Sequence, residues 1–139
     1  MDKYRSISFN KFDRLLQFKK FNFYKLSKTV ESVGLIDQKA SSNIFDFGDK
    51  SFFEISEILK ELDLVISVDT SINHLAGILG VNSILLLNYN NDWRWFDDNN
   101  ENHWYPSVKI IKQKNFNLWD DVFDKLTIEV EKRYKKKGQ

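Results

Sequence analysis

Residues 64–68, LVISV, carry no charge and no polar–apolar alternation, and DTSINHLAGILG follows at once. An unbroken, largely β-branched run is what a strand covered on both faces requires. A second run of this kind, Ser83–Leu87 (SILLL), comes after the intervening segment. That segment, residues 71–79, has Ile72, Leu75, Ala76 and Leu79 at helical spacing, predicted to face inward, and Gly80 to stop it. Two buried strands joined by a helix belong in a parallel sheet, because parallel neighbours need a crossover connection. The fold class read from this pattern is α/β: a Rossmann-like parallel sheet with helices on both faces.

The rest of the chain extends that pattern. Residues 10–18 predict a helix with Phe12, Leu15 and Leu16 on one face, and residues 21–26 (FNFYKL) a strand. Residues 27–42 read as loop, and residues 44–47 (IFDF) as a short strand closed by Gly48. Ser51 and Glu54 have the spacing of a capping box. The helix they open is predicted to bury Phe52, Ile55, Ile58, Leu59 and Leu62. Val108–Lys112 alternates as a strand, and a last helix beginning near Asn117 carries Trp119, Val122, Phe123, Leu126 and Val130 at helical spacing.

A chain of 139 residues with 42% hydrophobic residues is read as a single domain, residues 1–139. Its net charge of +1 gives no overall pull toward nucleic acid or membrane. The basic tail of Lys132, Arg133, Lys135, Lys136 and Lys137 is read as solvated. With no cysteine, disulfides, thiolate nucleophiles and Cys-based zinc sites are excluded. The charged start lacks the apolar core of a signal peptide, and no apolar run approaches the length of a membrane span. The expectation is a soluble, cytoplasmic protein with no membrane span and no nucleic-acid partner.

Chemistry concentrates where the LVISV strand hands over to its helix. In parallel sheets ligands sit beyond the carboxyl ends of strands, and Asp69 falls there. Thr70 and Ser71 can cap the helix, and its first N–H groups together with the helix dipole form an anion site. His74, three residues after Ser71, lies one turn in, where it can donate to a phosphate oxygen or orient Asp69. The plainer alternative makes Asp69 and Thr70 ordinary caps and His74 a satisfied surface residue. There is no GxGxxG, P-loop or HExxH motif, and residues 97–102 (DDNNEN) lack the glycine of a calcium loop. The aromatic DWRWF and HWYP segments can stack a base or a sugar, or pack on their own domain.

In order along the chain, DLVISVDTSINHLAGILG, DWRWF, HWYPSVKIIKQ and a Trp-Asp helix start resemble the C-terminal region of bacterial TPR-associated glycosyltransferases. These are related to the family 9 heptosyltransferases and have the GT-B architecture. Arg5, Ser6 and Ile7 match the family's RSI segment, and Leu26, Ser27, Lys28 and Thr29 stand where it usually has LQKG. The resemblance implies the half that binds a nucleotide-diphospho-sugar donor, which is substrate rather than cofactor. It implies that Lys28 neutralises the diphosphate, that Thr70 and Ser71 offer it backbone N–H groups, and that Asp69 and His74 contact the donor sugar or phosphate. Arg5 and Ser6 belong to the same donor site by that match. Glu54 stands where the family carries an acid directed to the ribose, although its capping-box role explains it without a ligand. No metal cluster is visible in the sequence, so metal-independent transfer fits better.

The family's donor half opens with a GLVWAG-type strand before the RSI segment, and here MDKYRSI begins the chain. The expectation is therefore a sheet lacking its first, central strand, with the FNFYKL strand paired directly to LVISV or completed by a partner. The acceptor half and an evident catalytic base are likewise not seen. Transfer is then expected only when an N-terminal GT-B half or TPR region is supplied in trans. The alternative is a non-catalytic nucleotide- or protein-binding module, or an inactive remnant of such an enzyme.

Overall fold

The structure, a computed structural model, describes residues 6–26, 44–95 and 104–137. Arg5, Lys28, the rest of the expected 27–42 loop and the DDNNEN segment lie outside the described residues. The chain divides into a smaller unit, Ile7–Ile55, and a larger one running from Ser56 through the C-terminal helix.

In the smaller unit, the helix expected over residues 10–18 forms as a 3₁₀ turn, Phe9–Phe12, followed by one α-turn, α1 (Asp13–Leu16). Of its predicted apolar face, Leu15 is buried, with Phe12 and Leu16 half-buried. Strands β1 (Phe23–Lys25) and β2 (Ile44–Asp46) pair in parallel, Phe23 opposite Ile44 and Lys25 opposite Asp46. That register sets the Lys25 ammonium 3.1 Å from the Asp46 carboxylate. Asp46 also accepts the Gly48 N–H at 2.8 Å, which closes the strand as the sequence suggested. The Gly48 N–H holds the Asp46 carboxyl below its ordinary value against the opposing effect of burial, and Lys25 adds to the lowering. Tyr24 stacks on Phe45 and on Phe47.

Helix α2 (Phe52–Glu61) starts with the predicted capping box. Ser51 N–H donates to Glu54 Oε2 at 2.7 Å, and Glu54 N–H donates to Ser51 Oγ at 3.2 Å. Ile55 and Leu59 are buried, but Phe52 is 54% exposed. Phe52 is the first helical residue, and its Cβ tilts back toward the helix start, past the end of the apolar stripe.

The larger unit is a three-stranded parallel sheet in the order β3 (Val65–Val68), β4 (Ser83–Leu87), β5 (Val108–Lys112). Helix α3 (Ser71–Ile78) packs against β3 and β4, and helix α4 (Asp120–Lys137) against β5. Every residue of β4 is buried, as its unbroken apolar run requires. Side chains alternate along a strand, so Val108 and Ile110 share one face of the sheet with Leu85 and Leu87. Trp95 and Tyr105 pack on that face. Lys109 points to the opposite face, where it bonds to Glu129 of α4 at 2.7 Å. His74 of α3 lies against Trp95, so α3 and α4 cover opposite sides. The result is an α/β, Rossmann-like fold, with parallel strands flanked by helices. The α4 stripe is as predicted: Trp119, Val122, Phe123, Leu126 and Val130 are all buried.

Among the described residues β1 pairs with β2, and β3 with β4. No helix among the described residues is long and apolar enough to cross a membrane.

Candidate functional site

The strand-to-helix turn after β3 gathers the central group of predicted residues. β3 ends at Val68, Asp69 follows, and Thr70 occupies the N-cap position of α3 with extended backbone (φ −137°, ψ 171°). Its carbonyl accepts from the Asn73 and His74 N–H groups at 3.1 and 3.3 Å. Its side chain makes no capping bond, contrary to the capping role open to it. Among the described residues no acceptor takes the Ser71 or Ile72 N–H. The first turn of α3 therefore directs backbone N–H groups and the positive end of its dipole beyond the carboxyl end of the sheet.

His74 stands one turn in, half-buried, with protein on three sides. Its Nε2 is 3.4 Å from Asp69 Oδ1, somewhat longer than an ideal hydrogen bond, and its Nδ1 is 3.2 Å from the Tyr105 hydroxyl. The ring lies 5.1 Å from the Trp95 ring and 5.8 Å, edge-on, from that of Tyr105.

α3 tolerates Tyr105 because of Gly77. A Cβ there would lie 2.4 Å from Tyr105 Cγ, so the ring rests directly on the helix backbone. The most buried face of α3 is accordingly Asn73, Ala76 and Gly77. Of the four residues predicted to face inward, Ala76 is fully buried, Ile72 and Leu75 are half-buried, and Leu79 is 37% exposed. The helix is rotated toward the contact with Tyr105. Asn73 is completely buried, and neither of its side-chain amide atoms has a partner among the described residues. The Trp95 indole N–H is likewise buried without one. Gly80 ends α3 at φ +70°, donating to the Gly77 carbonyl, while Val81 donates to that of Ala76. This is the paired C-terminal arrangement that favours glycine.

The loop after β4 adds charge. Arg94 donates from its backbone N–H, Nε and Nη2 to the Asp92 carboxylate, each at 3.0 Å. The guanidinium, then the backbone N–H, bring the Asp92 carboxyl down to about 2. Arg94 also feels the Asp69 carboxylate and Tyr105, so this cation belongs to the same neighbourhood. Asn91 Nδ2 donates to the carbonyls of Asp92 and Trp95, fixing the loop that presents it. The four tryptophans divide evenly: Trp95 and Trp119 are core, while Trp93 and Trp104 are 67% and 63% exposed.

Asp69, Thr70, Ser71 and His74 are thus brought together, and Tyr105, Gly77, Asn73 and Arg94 join them. Ser6 is exposed in irregular structure, and Glu54 is engaged in its capping box, where the Ser51 N–H holds its carboxyl below the ordinary value. Among the described residues no three His, Asp or Glu side chains cluster as a metal site needs. No protein-family model, curated protein or solved structure matches this chain.

Proposed function

We propose that the turn after β3 binds the diphosphate of a nucleotide sugar, as the donor-binding half of a GT-B glycosyltransferase of the TPR-associated type. The observation that carries the reading is the N-terminus of α3, which has no side-chain cap. It lies at the carboxyl end of a strand in a parallel sheet, with His74 and Asp69 beside it. An anion at that point meets unpaired backbone N–H groups and the helix dipole without displacing a protein ligand. Arg94, paired with Asp92, lies in the same neighbourhood, and Lys28 is the cation that the sequence resemblance supplies. Such donors also suit the reaction, because the departing nucleoside diphosphate gains charge that preorganised N–H groups and cations stabilise. Asp69 is the group placed to accept from a sugar hydroxyl.

Transfer itself needs an acceptor site and a base, and none of the residues gathered here is assigned as that base. The reading is therefore of donor binding, with turnover only alongside an acceptor-binding half. Calorimetry with UDP, ADP and GDP tests it. At least one should bind, more weakly to Lys28→Ala and to His74→Ala. A folded chain that binds none of them at about millimolar concentration, where binding free energy is only about 4 kcal/mol, refutes the reading.

A further inference from the structure

We infer that Tyr105 is a positioning residue that holds the His74 ring in one orientation, while Asp69 keeps its proton on Nε2. Nε2 faces the Asp69 carboxylate at 3.4 Å, and an ionised carboxylate only accepts. A nitrogen lone pair turned toward that oxygen would be repelled, so Nε2 carries the hydrogen. In the neutral ring Nδ1 is then the acceptor, and the group 3.2 Å from it is the Tyr105 hydroxyl, which can donate. The chain of donation runs from Tyr105 O–H to Nδ1, and from Nε2–H toward Asp69.

The packing shows why the hydroxyl stays there. The Tyr105 ring sits on the bare backbone of Gly77 and against the Leu85, Leu87, Trp95, Val108 and Ile110 cluster. It has little room to move, and the His74 ring is also held against Trp95. Tyr105 is 31 residues from His74 and bonds to its Nδ1 side, away from Asp69. The result is an Nε2–H edge kept beside Asp69 at the start of α3.

The test needs no ligand, so its outcome is independent of the donor-site reading. The chain has two histidines, so His103→Asn leaves a single imidazole to observe. Ring ¹⁵N shifts of His74 are recorded at about pH 8.5, roughly two units above the ordinary imidazole pKa. The expected spectrum shows a pyridine-like, hydrogen-bonded Nδ1 and a pyrrole-like Nε2 with no second tautomer. Tyr105→Phe keeps the ring and removes the donor, so Nδ1 should move to the position of a pyridine-like nitrogen without a hydrogen bond, while Nε2 stays pyrrole-like. A protonated Nδ1 or a tautomer mixture in the native chain overturns the inference, whether or not the variant folds. So does a Tyr105→Phe spectrum unchanged from the native one, since Nδ1 would then have had no hydrogen bond from Tyr105 to lose.

Discussion

Gly77→Ala should destabilise the protein, although the usual rule for a glycine inside a helix points the other way. Alanine in a helix interior is favoured over glycine by up to about 1 kcal/mol. Here the added Cβ would lie 2.4 Å from Tyr105 Cγ and 2.8 Å from both Cδ atoms, where carbon–carbon contacts settle at about 3.5–4.0 Å. The ring must withdraw by roughly 1 Å, yet behind it stand Leu85, Leu87, Trp95, Val108 and Ile110, all buried. Overpacking costs about 1–3 kcal/mol, and with a buried cluster behind the ring the upper part of that range, about 2–3 kcal/mol, applies, so the net loss after the propensity gain is about 1–2 kcal/mol. In urea unfolding followed by circular dichroism, that lowers the midpoint by roughly 0.5–1 M for a protein of this size. In a Tyr105→Ala background the clash is gone, and Gly77→Ala should be neutral or stabilising, so the double-mutant cycle isolates the contact. A Gly77→Ala midpoint at or above that of the native chain would refute the packing of Tyr105 on α3, and with it the support for His74.

Gly80→Ala should cost about 1–2 kcal/mol for a different reason: nothing lies within 4 Å of the new Cβ, but φ is +70°, and thermal unfolding reads the loss directly. Ser51→Ala removes one half of the α2 capping box and should cost about 1 kcal/mol in the same assay. Glu129 gives a pH-dependent case. Its carboxyl is held below its ordinary value first by the Lys109 hydrogen bond, against the opposing effect of burial and with Arg133 adding to the lowering. Because the folded value is the lower one, its stabilisation is present above the ordinary carboxylate pKa and is lost as pH falls through the folded value. Glu129→Gln should therefore unfold more easily than the native chain at pH 7, and the difference should close below about pH 4. A gap that persists at low pH would show that charge is not what Glu129 contributes.

How much of this was legible in the sequence depended on what each residue contributes. The α4 stripe was readable because five large apolar residues repeat at helical spacing, and β4 because its run leaves no polar side to turn outward. The face of α3 was not. Its burial is organised by Gly77, whose part is the absence of a side chain, and by Asn73, a polar residue that hydrophobic counting places outside. Asp69 and His74 could be joined from local spacing alone, since a strand end and a first helical turn are close by construction. Tyr105 and Arg94 arrive from the loops on either side of residues 96–103, at separations no helical or strand period encodes. The aromatic segments that carry them were the signal, but an aromatic loop does not say which ring it will meet. Phe52 failed for a simpler reason, because the apolar period continued one residue past the end of the surface it covers.

The central claim is that α3 presents its free N–H groups to a diphosphate. Amide ¹H–¹⁵N spectra of the labelled chain, titrated with ADP, UDP and GDP and in parallel with the parent nucleosides, test it most directly. A diphosphate should shift the Ser71 and Ile72 amides and the His74 ring most strongly, and the matching nucleoside should leave them nearly unmoved. Equal shifts for nucleoside and diphosphate, or saturable shifts confined to residues away from the start of α3, would contradict it.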